Sequence, residues 1–256
     1  MKVSISILPN EEQTISQLAN AYRNSYNTLS AQYKSKEEMA LYTYDYFYQK
    51  VRRFAAENEH SNLSRTFMVC VDKQPVGFVR YSRIPEYYKQ NQDGMTKDLE
   101  KGMMDGYEYA WYRKVKFVDK VKLDDSTMIL NQIYLDPLVQ HNGLGTYVLA
   151  QTLPKMKEKG VRNLILEYNV DNHNGEKFYH SFGFQALAET EDLDHIIPNR
   201  SGGTKFCISK VKMVHVDVDT ALAKANAKIE QKKRAQSQEL GNVIIGVVNN
   251  ARQFNK

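Results

Sequence analysis

The sequence contains no run of 18 apolar residues, so no membrane span is expected. It has only two cysteines, Cys70 and Cys207, and no C-x-x-C or H-E-x-x-H pattern. Each cysteine sits in an alternating apolar run, which reads as a reduced thiol buried in a strand. A catalytic thiol is the lesser reading, because neither cysteine has a base near it in sequence. His173, His180 and His195 do not have metal-ligand spacing, so no metal site is expected. A G-x-x-x-x-G-K-[ST] loop is missing too, as is an acidic ribose ligand at the offset a dinucleotide binder would need. Basic surplus is scarce over most of the chain. Of the net charge of +5, the segment from Asp219 onward carries +4, with seven Lys and Arg against three Asp and Glu. A nearly neutral body is a poor nucleic-acid binder, and such a role for the basic tail is the minor reading.

What is present is ordinary for a soluble globular protein: 42% hydrophobic and 25% charged residues. The length suits one large domain or a domain with additions. The N-terminal V-S-I-S-I-L alternates apolar residues with serine, which fits a strand rather than a secretory segment, and a cytoplasmic location is expected.

Periodicity then divides the chain. Residues 3–8 read as a strand. Residues 11–59 are helical in pattern, with Ile15, Leu18, Tyr22 and Tyr26 on one stripe and a second helix from about Lys36 to Ala56. Tyr42, Tyr44, Tyr46 and Tyr48 read chiefly as packing. The alternative is an aromatic wall beside a substrate pocket. Thr66 to Ile84 reads as a hairpin closed by Pro85. Residues 86–125 are too long for a bare turn and are expected to be an insertion with a short helix near Thr96–Asp105. Its charge is segregated, six acids and three bases over 86–108 and then five bases and one acid over 113–122. It reads as a packed lid or oligomer contact, or else as an acidic lid that attracts a cationic amine. Met128–Leu135 is a strand, about Gly143–Lys159 a helix stopped by Gly160, and Asn163–Val170 a second strand. That spacing implies a parallel β-α-β unit. Pro154, well inside the helix, must delete one hydrogen bond and kink or end it. Gly175–Phe182 reads as a short helix. Gln185–Glu189 and Lys205–Val214 read as an antiparallel pair joined by a long loop from Glu191. Residues 219–238 favour helix and are too polar to carry a core. The apolar V-I-I-G-V-V at 243–248 must bury against the body or a partner, which suggests a homodimer.

The most informative stretch is Asp136–Gly145, D-P-L-V-Q-H-N-G-L-G, between an apolar strand and a helix. Such a turn presents free backbone N–H groups at a helix N-terminus, a ready site for a phosphate or pyrophosphate. A second block follows at Asn169–Phe184, N-V-D-N-H-N-G-E-K-F-Y-H-S-F-G-F. Together these blocks resemble the GNAT superfamily of acyl-CoA N-acetyltransferases. Gln140, Gly143 and Gly145 match its Q/R-x-x-G-x-G/A pattern. Asn172, Phe178, Tyr179, Gly183 and Phe184 match its N-x-x-A-x-x-F-Y-x-x-x-G-F pattern, with Gly175 where alanine is usual. The match covers about residues 127–185 and is nearest to small bacterial acetyltransferases of the polyamine type.

The resemblance implies an α/β (α+β) fold: a mixed, mostly antiparallel sheet with a parallel, splayed central strand pair flanked by helices. The expected organisation is a domain over 1–217, carrying the insertion, and a helical extension over 218–256. The implied activity is acetyl-CoA-dependent N-acetylation of a primary amine on a small molecule or peptide, without a covalent enzyme intermediate. The alternative is a non-catalytic acyl-CoA-binding or interaction module on the same fold. Acetyl-CoA would be cradled by the turn Gln140, Asn142, Gly143, Leu144, Gly145 and Thr146. The backbone of Ile133, Tyr134 and Leu135 would pair with pantetheine. Asn172 would hold the pantetheine arm, although by itself it reads first as an N-cap for the Gly175–Phe182 helix. Tyr179 would protonate the departing thiolate, although its phenylalanine neighbours allow a packed core tyrosine. The family often places a glutamate at the position held here by Ile129, which cannot accept a proton; nor can Asn131 or Gln132. Asp136, Glu167 and the acids of the insertion remain candidates, beside a water chain or an amine that arrives deprotonated.

Overall fold

The computed structural model describes residues 2–32, 34–60, 64–84, 124–196 and 205–253, and within these only the backbone of 188–196, 205–209 and 237–253. The expected insertion, its helix at 96–105 and the role of Pro85 lie outside the described residues. So do the side chains of Cys207, His195 and the apolar segment 243–248.

Seven strands form one sheet in the order β1-β2-β3-β4-β5-β7-β6. They are β1 (Val3–Ile7), β2 (Ser64–Val71), β3 (Gln74–Arg83), β4 (Thr127–Leu135), β5 (Asn163–Asn169), β6 (Gln185–Ile196) and β7 (Lys205–Asp217). Every neighbouring pair is antiparallel except β4 and β5, which run parallel. The β2–β3 turn falls on Asp72 and Lys73, with φ of 47° and 69°, the pair of positive angles that a type I′ hairpin needs. β6 and β7 are longer than expected. Their pairing runs from Gln185 opposite His215 to Ile196 opposite Lys205, so much of the expected loop is strand.

Alternation along the strands buries both faces of the sheet. Phe67, Val69, Val79 and Tyr81 join one core, with Leu144, Val148, Leu149, Leu153 and Met156 of α4 (Leu144–Glu158). Phe78 points the other way, into a second core under α1 (Glu12–Ser30) and α3 (Tyr44–His60). That core is aromatic: the Tyr22 ring lies 4.8 Å from Phe47, 5.0 Å from Phe78 and 4.4 Å from Tyr134. Tyr42 is buried there, and Tyr44, Tyr46 and Tyr48 pack against it, as the packing reading of these residues expects.

The single helix expected over about 36–56 is two. α2 (Lys36–Ala40) opens with a capping box: the Ser35 hydroxyl accepts from the Glu38 amide and the Glu38 carboxylate accepts from the Ser35 amide. The chain then breaks at 41–43, and the Thr43 hydroxyl accepts from the Tyr46 amide to start α3 afresh. The apolar stripe is continuous through the break, so periodicity hides it. Pro154 does not end α4, which runs four residues further to Glu158 before Gly160, at φ 82°, stops it.

The C-terminal segment also departs from expectation. α6 (Val218–Gln253) follows β7 directly, and Val218, Ala221 and Ala225 are buried in the first core, with Leu222 and Ile229 packed beside them. Small residues at helical spacing let the helix sit close to the body, which a hydrophobicity count misses. Among the described residues no helix is long and apolar enough to cross a membrane.

Candidate functional site

The parallel pair is short. β4 and β5 are matched only at Thr127–Asn163, Met128–Leu164 and Ile129–Ile165. Beyond Ile129 the strands part, while β5 keeps pairing with β7 as far as Asn169. On the other side of β4, Arg80 faces Gln132 and Tyr81 faces Leu130, so Asn131 is an extra residue. This bulge bends β4 away from β5 where the gap opens.

A cavity of about 440 Å³ lies in this gap, a size suited to a small-molecule ligand. Its walls come from four places. β4 gives Ile133, Tyr134 and Leu135, and the glycine turn gives Gln140, His141, Gly143, Leu144, Gly145 and Thr146. The third wall is Asn172, Asn174, Gly175, Phe178 and Tyr179, around α5 (His173–His180). The fourth, which the sequence reading missed, is Ser25, Thr28 and Leu29 of α1, with Gln32 just beyond its C-terminus. Their three- and four-residue spacing was the available signal: a second, small and polar face on a helix whose other face is aromatic.

The turn is built to leave a helix end open. The Asp136 carboxylate accepts from the Leu138 amide and starts a short 3₁₀ turn, Pro137–Val139. Gln140 then folds back, its Nε2 donating to the Leu135 carbonyl at 2.7 Å. Gly143 is the N-cap of α4 at φ 79°, a left-handed conformation that costs glycine little. No side chain caps α4, so its first-turn amides face the cavity with the positive end of the helix dipole behind them.

α5 is capped, and by the residue expected to hold a ligand. Asn172 Oδ1 accepts from the Gly175 amide at 2.8 Å. A Cβ at position 175 would lie 2.4 Å from Asn172 Nδ2, so glycine there is what lets the amide fold onto the helix. Asn172 still lines the cavity and keeps its Nδ2 donor.

Tyr179 also lines the cavity. Its ring stacks on Tyr168 at 5.7 Å and meets the edges of Phe178 at 5.3 Å and Phe184 at 5.6 Å. Burial of the ring, with the nearby Tyr168 phenol adding to it, pushes the Tyr179 phenol well above the ordinary tyrosine range. The group is therefore a neutral donor at physiological pH.

All the residues expected at the site thus meet around one cavity except Asn142, whose carbonyl is turned outward to Lys232 of α6. No carboxylate is among the described lining residues, and neither Asp136 nor Glu167 is there. Glu176 of α5 lies close by but accepts from Lys212 at 2.9 Å, and that hydrogen bond holds its carboxyl below the usual range.

Such a cavity, with bare main-chain amides and a phenol among its walls, can take a molecule with an anionic group. Comparison with known proteins points the same way. The family model described as Acetyltransferase (GNAT) family matches residues 23–184, more than half of the chain. Among solved structures, the PaiA N-acetyltransferase of Thermoplasma acidophilum in complex with coenzyme A is similar, with a TM-score of 0.53 at 16% identity over 83% of this chain and 98% of that one. The ribosomal-protein-S5-alanine acetyltransferase of Vibrio fischeri has a TM-score of 0.51 at 16% identity over 86% of this chain and 94% of that one. At such identities these likenesses show a shared fold. No curated protein matches the sequence.

Proposed function

The chain belongs to the acetyltransferase (GNAT) family, and from that premise we propose that it moves the acetyl group of acetyl-CoA onto a primary amine of a small molecule or peptide. The observation that carries this reading is the uncapped N-terminus of α4 opening into the β4–β5 gap. The diphosphate takes the amides of Leu144, Gly145 and Thr146. Each N–H···O⁻ contact is charge-assisted and forms without moving the backbone. The pantetheine arm runs along Ile133–Leu135, where β4 has no β5 partner to occupy its edge. Leu135 offers less than the other two, since Gln140 already uses its carbonyl. Asn172 Nδ2 adds a donor.

The amine nitrogen attacks the thioester carbon, the C–S bond breaks, and the sulfur leaves with its electron pair. Tyr179 gives its phenolic proton to that sulfur. Its raised pKa keeps the proton in place until a strongly basic thiolate forms beside it. The nitrogen's proton leaves to water, since no described lining residue is a carboxylate. The acceptor enters from the side of α1, where Ser25, Thr28 and Gln32 offer neutral polar contacts.

Two measurements test the reading. Thermal unfolding with acetyl-CoA at 100 times its Kd should show about 2.7 kcal/mol of added stability. Thiol release followed over a panel of polyamines, amino acids and peptide N-termini should then find a turned-over amine. No stabilisation at millimolar acetyl-CoA overturns the donor assignment. Stabilisation without turnover on any amine overturns the acceptor class.

A further inference from the structure

We propose that Lys232, on the C-terminal helix α6, binds the diphosphate of the donor and supplies the cation that the glycine turn lacks. This deepens the acetyl-CoA reading above and rests on it. The turn from Gln140 to Thr146 contains no Lys or Arg, so its own chemistry for an anion is main-chain amides alone. A diphosphate carries more negative charge than a helix end neutralises, because the dipole amounts to roughly half an elementary charge.

The missing charge arrives from 90 residues further along the chain. α6 lies antiparallel to α4 and is tied to it at both ends. At one end Lys157, near the C-terminus of α4, donates to Asp219 at 2.6 Å. At the other, Lys232 Nζ donates to the Asn142 carbonyl. The Lys232 stem crosses the turn itself: a Cβ on Gly143 would lie 3.7 Å from Lys232 Cδ and 3.3 Å from Nζ. The ammonium therefore stands beside Gly143, the residue that caps α4.

Spacing argues against an incidental surface contact. Lys224, Lys228 and Lys232 recur every four residues on one face of α6. Each reaches the body: Lys224 lies against Gly183, Lys228 stands 5.4 Å from the Phe182 ring centre, and Lys232 meets the turn. The first two cover apolar or backbone surface and anchor the helix. Only the third ends at an anion cradle. One of its three donors goes to Asn142, and among the described residues no carboxylate is paired with it. Two donors remain for phosphate oxygens, and the stem need turn only a few ångströms to present them.

The test uses the full chain and two variants. Lys232→Gln keeps an N–H donor for the Asn142 carbonyl and removes the charge. Lys233→Gln removes the neighbouring charge, which is paired with Glu230 rather than with the turn. Kd is measured for CoA and for 3′-dephospho-CoA, each over a range of salt, and steady-state rates are measured with acetyl-pantetheine, which has no phosphate. Lys232→Gln should bind both nucleotides about tenfold more weakly, with a shallower salt dependence, and leave the acetyl-pantetheine rate unchanged. Lys233→Gln should behave as the unaltered protein. Equal CoA affinity in Lys232→Gln overturns the proposal, and so does a loss shared by acetyl-pantetheine, which would mark a strut rather than a ligand. A loss confined to CoA, sparing 3′-dephospho-CoA, overturns the diphosphate assignment. If the unaltered chain does not bind CoA, the donor reading itself has failed, a result separate from all of these.

Discussion

Tyr179 carries the proposed chemistry on a single hydroxyl. Removing it in Tyr179→Phe leaves the ring stacked on Tyr168 and the cavity its shape. Steady-state kinetics should then show kcat lower by about 10²–10⁴-fold with little change in KM for acetyl-CoA. Unchanged turnover, with chemistry shown to be rate-limiting, removes the assignment. The sign of the pH dependence follows from the raised pKa. The phenol is the active form, so its deprotonation cannot cause a fall in kcat below pH of about 10, the unperturbed tyrosine value. For stability the same shift acts in the same direction: its contribution is complete below that pH and is lost as the pH rises above it. Individual residues were partly legible in the sequence. Asn172, Tyr179 and the glycines stand at positions that a resemblance can name, but no spacing reveals where an amide points. Gln140 and Asn172 both spend a hydrogen bond on nearby backbone, Gln140 on Leu135 and Asn172 on Gly175.

Among the elements, α4 and α5 present opposite solutions to the same problem. Each opens toward the cavity, yet α4 leaves its first amides bare while Asn172 closes α5. Gly175 holds that difference in place. Gly175→Ala would put a Cβ 2.4 Å from Asn172 Nδ2 and expel the amide from its cap. Losing the cap costs about 0.5–2 kcal/mol, and alanine in place of glycine returns up to about 1 kcal/mol of helix stability. The two nearly cancel, so the melting temperature should move by only a few degrees. CoA affinity should change more than stability does, because Asn172 is freed to reach the arm; calorimetric titration of CoA beside a melting curve checks both. A large loss of stability with unchanged affinity would show that the cap is the whole role of Asn172. The strands and long helices were legible because alternation and three-to-four spacing report burial directly. The break at 41–43 and the length of β6 were not, since one depends on a threonine hydroxyl and the other on backbone pairing with β7 along the whole strand.

Over the whole molecule, the sheet is two halves: β1 to β4 on one side and β5, β7 and β6 on the other. The tail was the least legible part, because its lysines and alanines read as solvated helix. Only the fold shows that Val218, Ala221 and Ala225 complete the core and that Lys232 arrives at the turn. The halves are stitched by three matched residue pairs, Thr127–Asn163 to Ile129–Ile165, and their strands must wait for α4 to cross between them. Closing that distant seam is slow relative to hairpins and helices. A donor molecule therefore finds no pocket on either half alone and has nothing to grip until the last stitch is made. In stopped-flow measurements it should leave the refolding rate untouched and act wholly as a brake on unfolding; acceleration of refolding by CoA would mean that the pocket takes shape early.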